Sequence, residues 1–326
     1  MFYLNAADCS VMPKVLSTCV LPGKYFELLR DSVDLQLWPN EGVPDSSWLK
    51  ANMGDKEGLI VTLSSRVDRE LIDASRKLKV ISTYSVGYDH IDVRHARERG
   101  ICVTYTPDVL TGATADLIFG LLLAVSRRIA EGDAFIRSGM WTEPWRPDFM
   151  LGHDVNGKTI GILGGGRIGR AVARRASGFD MNVLYNSRSP KPGFEGRYVS
   201  LNTLIQMSDF VVLTVSLNSE TFHLMNEERL MMMKAGGFLI NASRGGVIDE
   251  TALFKVLKEG RIGGAALDVF SREPLGSDIA FGNLKNVVLT PHLGSATFET
   301  RFKMTEVLVR DLLAVLNGSP PAHAVK

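Results

Sequence analysis

The chain has 326 residues, 45% in the hydrophobic set and 22% charged, and its 37 Lys and Arg against 36 Asp and Glu leave a formal net charge of +1. A chain this long buries roughly 75% of the surface its unfolded form exposes, so it needs no disulfide or metal staple, and it has room for about two domains. The balanced charge speaks against a nucleic-acid binder or a polyanion or anionic-membrane partner, and the apolar fraction against disorder.

Cys9, Cys19 and Cys102 form no CxxC and have no His pair nearby. They read as small buried hydrophobes in a reducing compartment, neither a disulfide framework nor a metal site. Polar Asn5 and Asp8 precede any apolar run, so the N-terminus does not read as a signal peptide. The longest apolar block, 117–125, falls well short of the roughly 18 residues of a membrane span. A cytoplasmic globular protein without a metal is expected.

In chain order, short runs rich in Val, Ile and Leu predict strands at 14–21, 34–38, 58–63, 79–85 and 101–105. Amphipathic helices lie between the later ones, at 68–76 and 91–99, the second stopped by Gly100. A second set of strands is predicted at 159–163, 182–185, 210–215, 238–241, 264–269 and 286–290. Near-continuous apolar strands separated by helices make parallel sheets buried on both faces, so the fold class is α/β with two doubly wound domains. Between the sets one long helix is expected from about Thr111 to Arg137, ended by Gly139. It is apolar almost all round and so should be buried between domains or between subunits. Trp141, Pro144, Trp145 and Pro147 prevent a regular helix over 140–148, and a last helix at 297–317 is read as returning to the first domain.

Gly164, Gly166 and Gly169 form G-x-G-x-x-G directly after the strand at 159–163, where the helix at 168–177 opens. In this context the first Gly makes the turn, the second admits a pyrophosphate to the backbone, and the third packs helix on strand. The next strand ends in Asn186-Ser187-Arg188-Ser189, with no acid to hold a ribose 2′-hydroxyl; Asp180 lies at the strand's opposite end. Arg188 with Ser187 and Ser189 could instead bind a 2′-phosphate, which favours NADPH over NADH; as ordinary polar loop residues they would carry no such preference.

Arg244, Glu273 and His292 each follow a buried strand, where open α/β sheets put their ligands. Singly, a His after Pro291 or a Glu before Pro274 also reads as an ordinary surface residue; the convergence of all three on one rim points to chemistry. The group suits reduction of a 2-keto acid: His292 gives the proton, Glu273 stabilises its imidazolium, and Arg244 grips the substrate carboxylate. Asp268, an acid in an apolar run, is either a partner for the nicotinamide side or a satisfied polar residue at the sheet edge.

The motifs Gly164-Gly-Gly-Arg-Ile-Gly169, Asn241-Ala-Ser-Arg-Gly-Gly246, Leu267-Asp-Val-Phe-Ser-Arg-Glu-Pro274 and Pro291-His-Leu-Gly-Ser295 together resemble the D-isomer-specific 2-hydroxyacid dehydrogenases along almost the whole chain. The resemblance places the family's catalytic Arg, Glu and His on Arg244, Glu273 and His292. It adds Arg167, Ile168, Ala242 and Gly294 to the cofactor residues, and the backbone of Val86 and Gly87, with Arg244 and His292, to the substrate residues. It implies a flavodoxin-like substrate domain made of 1–105 and 291–326, interrupted by a Rossmann domain at 106–290 that carries a dimerisation helix. A homodimer and a small 2-keto acid substrate follow from the same likeness.

Within the family the chain is most similar to the glyoxylate/hydroxypyruvate reductases, through Val86-Gly-Tyr-Asp89, Thr106-Pro-Asp-Val-Leu-Thr111, Arg137-Ser-Gly-Met-Trp141 and the Ser187-Arg188 pair. That similarity implies reduction of glyoxylate or hydroxypyruvate to the D-2-hydroxy acid with NADPH, NADH being the alternative donor. Trp141 is either a wall of the neighbouring subunit's pocket or simple interface packing. Gly165 and Ser216 depart from the family pattern, standing where a larger apolar residue and a Pro are usual. Phosphite dehydrogenases resemble the chain around Phe135-Ile-Arg-Ser-Gly139 but are associated with a Lys where this loop has Ser85-Val86-Gly87. The C-terminal-binding corepressors share the fold implied and would turn over no keto acid.

Overall fold

In the computed structural model, which describes residues 12–277 and 279–326, every run read as a strand contains one. Cys9, Asn5 and Asp8 lie outside the described residues. The chain divides into two compact units, one of Met1–Val109 with Thr297–Lys326 and one of Leu110–Ala296. The seams fall at 109/110 and 296/297, against 105/106 and 290/291 on the sequence reading, so His292 belongs to the same unit as Glu273 and Asp268.

The first unit holds strands β1 (Lys14–Ser17), β2 (Asp34–Leu37), β3 (Gly58–Val61), β4 (Val80–Thr83) and β5 (Cys102–Thr104). They form one parallel sheet in the order β2-β1-β3-β4-β5, the flavodoxin-like winding. Its helices are α1 (Lys24–Ser32), α2 (Ser46–Met53), α3 (Arg69–Asp73), α4 (Val93–Glu98) and, from the far end of the chain, Phe298–Leu316. β3 and β4 are buried along their whole length, as strands covered on both faces must be. Cys19 and Cys102 are unpaired thiols that are half-buried, where full burial was expected; burial pushes the Cys19 thiol up to about 11.

In the second unit come α5 (Thr111–Ser126), α6 (Ile129–Arg137), β6 (Thr159–Leu163), α7 (Arg167–Ser177), β7 (Asn182–Asn186), β8 (Arg197–Tyr198), α8 (Leu201–Met207), β9 (Phe210–Leu213), α9 (Glu227–Met232), β10 (Phe238–Asn241), α10 (Glu250–Lys258), β11 (Gly264–Leu267) and β12 (Val287–Leu289), with α11 the helix Phe298–Leu316 already placed in the first unit. The sheet order is β12-β11-β10-β9-β6-β7-β8, all parallel, and the winding reverses between β6 and β9. Alternation along the strands sends Phe210, Val212, Phe238 and Ile240 to the face covered by α5 and α7, and Val211, Leu213 and Leu239 to the face covered by α8–α10. This is the doubly wound Rossmann arrangement.

The long helix expected over 111–137 is two helices, and the first of them is buried within its own unit. α5 lies against the sheet and α7 of its own unit. It ends where the Ser126 hydroxyl turns back to donate to the Leu122 carbonyl, 2.7 Å away, and Arg128 takes a left-handed φ of 54°. Two consecutive arginines cannot continue an all-apolar cylinder, and Arg128 instead binds Glu131 with two nitrogens at 2.7 and 2.8 Å. Segment 140–148 is irregular, as its prolines require. Among the described residues no helix is long and apolar enough to cross a membrane, and no three His, Cys, Asp or Glu side chains gather as a metal would need.

Candidate active site

Helices α2, α3, α4, α8, α9, α10 and α11 each begin on a capping side chain, Asp45, Asp68, Asp92, Ser200, Asn226, Asp249 and Thr297, that accepts a first-turn backbone N–H. α7 begins on Gly166, and no side chain among the described residues caps it. Its first N–H groups point out at the reversal of the sheet order, where doubly wound folds bind nucleotides. Gly164 sits at φ 120°, and a Cβ there would lie 2.6 Å from the Thr214 carbonyl oxygen; one on Gly169 would lie 2.0 Å from the Gly164 oxygen. Around Gly166 nothing stands within 4 Å of a Cβ, leaving the backbone open to an anion, with Arg167 and Ile168 following on the first turn. The turn therefore fits the pyrophosphate of a dinucleotide.

Ser187, Arg188 and Ser189 follow β7, and Arg188 and Ser189 are exposed. The loop is held by Ser187 Oγ donating to the Ser189 carbonyl (2.7 Å) and by Lys191 N–H donating to Tyr185 Oη (2.9 Å). That second bond brings the Lys191 stem back over the glycine turn. A Cβ on Gly165 would lie 2.8 Å from Lys191 Cγ and 3.0 Å from Ser187 Oγ, so the space a larger residue would fill is taken by this loop. The departure at Gly165 thus has a steric cause. Asp180 lies before β7, bound by Asn156 (3.0 Å), at the end away from this loop.

Arg244, Glu273 and His292 follow β10, β11 and β12 within one unit. Arg244 rides on a turn braced by buried Asn241, whose Nδ2 donates to the Arg244 carbonyl (2.9 Å) and whose Oδ1 accepts from Ser243 N–H and Oγ–H (3.0 and 2.8 Å). Ala242 in this turn packs on the core beneath α5 and α7. The next residue, Gly245, lies so close to the 270 turn that a Cβ would fall 1.8 Å from the Phe270 carbonyl carbon. This approach sets the Arg244 turn beside Glu273.

Glu273 Oε1 accepts the Phe270 N–H at 2.9 Å, and Oε2 lies 2.7 Å from His292 Nδ1. A carboxylate only accepts, so Nδ1 carries the hydrogen and Nε2 is left as the nitrogen that exchanges protons. Burial pushes the Glu273 carboxyl up, but the bonds from His292 and Phe270 and the positive charges of His292 and Arg244 outweigh it, so it sits below its ordinary value.

His292 has a φ of 56°, unfavourable for a side chain with a Cβ. Asp268 holds it there. Its carbonyl accepts the His292 N–H (2.9 Å); Oδ1 accepts from Thr290 Oγ1 and Leu293 N–H (2.6 and 2.7 Å), and Oδ2 from Gly294 N–H (2.9 Å). Thr114, on the first turn of α5, donates to the Gly294 carbonyl at 2.9 Å. Asp268 is fully buried, and burial pushes its carboxyl up against the lowering effect of these bonds and of the His292 charge. Asn241, Thr290 and Thr114 were not singled out from the sequence; a polar residue at a strand end beside an apolar run is the one signal each offered. In the first unit, Val86 and Gly87 are half-buried in the loop that follows β4.

A helix end open to a pyrophosphate and a His–carboxylate pair on neighbouring strand ends define an oxidoreductase that works with a nicotinamide dinucleotide. The family model described as the NAD binding domain of D-isomer specific 2-hydroxyacid dehydrogenase matches residues 119–294. Glyoxylate reductases of Thermococcus onnurineus and Thermococcus kodakarensis are 47% and 49% identical over 320 residues, 96% of each chain. Among solved structures, a Thermus thermophilus protein matches with a TM-score of 0.90 and 46% identity, over 96% of this chain and 100% of that one. An NADPH-dependent glyoxylate/hydroxypyruvate reductase from Sinorhizobium meliloti, crystallised with NADP and malonate, matches at 0.86 and 33%, over 96% and 97%. The chain belongs to the D-isomer-specific 2-hydroxyacid dehydrogenase family.

Proposed function

We propose that this protein is a cytoplasmic reductase that converts glyoxylate to glycolate and hydroxypyruvate to D-glycerate, with NADPH as the preferred donor. The observation that carries the reading is the His292–Glu273 pair at 2.7 Å, which directs one ring nitrogen to a carboxylate and leaves the other for a substrate oxygen. The near-full-length identity to proteins named glyoxylate reductase supports the choice of substrate. The dinucleotide, when bound, supplies a hydride to the carbonyl carbon. His292 Nε2 gives its proton to the carbonyl oxygen as charge builds there, and Glu273 holds the ring in place through Nδ1. Arg244 grips the substrate carboxylate and polarises the carbonyl, and the Val86 and Gly87 N–H groups are further donors for the substrate carboxylate. Gly164, Gly166, Arg167, Ile168 and Gly169 hold the pyrophosphate, and Ala242, Asp268 and Gly294 belong to the nicotinamide end. The test follows NADPH and NADH absorbance with glyoxylate, hydroxypyruvate and pyruvate; oxidation of neither cofactor with any of them overturns the reading.

Preference for NADPH rests on Arg188, Ser187 and Ser189 as ligands of the 2′-phosphate. Arg188→Asp is expected to lower the ratio of kcat/KM for NADPH over NADH by about 10- to 100-fold, the scale of one or two charge-assisted hydrogen bonds. An unchanged ratio removes Arg188 from the assignment.

A homodimer is part of the same reading. No residue of α6 is buried, and Ile129, Ile136, Met140, Trp141, Trp145 and Leu151 form an exposed apolar run of the kind that marks an interaction surface. Light scattering should give twice the chain mass, and Ile136→Glu with Trp145→Glu should shift it toward one; a wild-type monomer at working concentration would count against the dimer.

A further inference from the structure

We propose that Thr83, Ser85 and His90 form a one-way chain of hydrogen-bond donors that positions the loop carrying Val86 and Gly87. The inference rests on the substrate-carboxylate role proposed for those two N–H groups, and it adds the residues that set their direction.

Ser85 Oγ lies 2.6 Å from the Gly87 carbonyl oxygen. A carbonyl cannot donate, and a hydroxyl has one hydrogen, so that hydrogen is spent on Gly87. In the contact between Thr83 Oγ1 and Ser85 Oγ (2.7 Å), Thr83 must therefore be the donor. Thr83 then has no hydrogen left for His90 Nε2 at 3.0 Å, so Nε2 must carry one. The order is His90 to Thr83 to Ser85 to the Gly87 carbonyl, with no second arrangement that satisfies all three contacts. Thr83 and Ser85 are both buried, so water does not compete for these groups.

The chain closes the loop at two depths. Thr83, the last residue of β4, and His90 stand seven positions apart and clasp its base. Ser85 to Gly87 clasps its tip. The flanking backbone is fixed to the rest of the unit: Tyr84 N–H donates to the Val61 carbonyl (2.8 Å), the Ser85 carbonyl accepts from Thr106 N–H (2.9 Å), and the His90 carbonyl accepts from Val67 N–H (2.9 Å). Between these anchors the N–H groups of Val86 and Gly87 donate to no backbone or side-chain acceptor among the described residues. Drawing the Gly87 carbonyl inward onto Ser85 fixes the adjoining peptide planes, and two adjacent N–H groups held this way form a receptor for a small carboxylate. Thr83, Ser85 and His90 are positioning residues; none of them is required to touch the substrate.

The experiment pairs kinetics with a reading that does not depend on turnover. Ser85→Ala and Thr83→Val should each raise KM for glyoxylate about tenfold, with KM for NADPH within about twofold of wild type, and should lower Tm by a few degrees for the buried partners left unmet. Thr83→Ser keeps the hydroxyl and should restore the wild-type KM. Long-range proton–nitrogen NMR, with the His90 ring assigned through His90→Gln, should find hydrogen on Nε2, and the Val86 and Gly87 amide signals should move on titration with glyoxylate in wild type and much less in Ser85→Ala. Unchanged KM in both Ser85→Ala and Thr83→Val, or a His90 ring protonated on Nδ1 alone, overturns the proposal. If wild type fails to oxidise NADPH with glyoxylate, the functional reading falls, and the His90 signal still decides the donor chain by itself.

Discussion

His292→Ala is expected to lower kcat with glyoxylate by roughly 10²–10⁴-fold, the usual contribution of a positioned general acid, while leaving NADPH binding close to wild type. The expectation follows from the two ring nitrogens having different duties. Nδ1 is tied to Glu273 Oε2 at 2.7 Å, so proton delivery falls to Nε2, and alanine removes both the proton and the partner of a half-buried carboxylate. Glu273→Gln separates the two effects, since it keeps the ring and removes the carboxylate charge beside it; a smaller loss of kcat than in His292→Ala is expected. Stopped-flow measurement of hydride transfer together with fluorescence titration of NADPH checks both. A His292→Ala rate within tenfold of wild type would show that the proton comes from elsewhere.

Asp268→Asn should cost both stability and rate. The carboxylate accepts from Thr290, Leu293 and Gly294 through two oxygens, and an amide has one oxygen and one donor group. Whichever way the amide turns, its NH₂ meets a buried backbone N–H or the Thr290 hydroxyl, and an unmet buried group costs about 1–3 kcal/mol. Neutralising a buried acid whose carboxyl burial already pushes up recovers part of that cost. A net loss of about 2 kcal/mol corresponds to a fall of about 4–8 °C in Tm for a unit of this size. Because the same bonds keep His292 at its positive φ, kcat should fall by about 10²-fold as the ring loses its place. Calorimetry and kcat on one preparation check this; an unchanged Tm would mean the loop does not depend on Asp268.

What could be read from the sequence was what local chemistry writes. Eleven runs became strands because each is a short, mostly apolar stretch between polar turns, and the glycines at 164, 166 and 169 announce a turn whose geometry admits little else. Arg244, Glu273 and His292 could be singled out because each sits three to six residues beyond a strand. β8 escaped because it is two exposed residues with no apolar run. The break between α5 and α6 escaped because it has neither Gly nor Pro; its signal is the two arginines that follow an all-apolar stretch. The braces of the site were out of reach for a different reason. Thr114 and Gly294 are 180 positions apart, and Asp268 and Gly294 are 26, so no window of sequence contains both members of either pair. Gly165 was visible only as an oddity until the Lys191 stem over it gave the reason.

Seven helices are finished by a side chain the gene encodes, and α1, α5, α6 and α7 are not. Of these four, α7 is the one that follows the glycine turn at the reversal of the sheet order, so on the function proposed its cap is a molecule the cell must supply. The first turn of α7 should accordingly exchange its amide hydrogens faster without cofactor than with it, and the availability of reduced dinucleotide in the cell would set how much of the population has that turn closed.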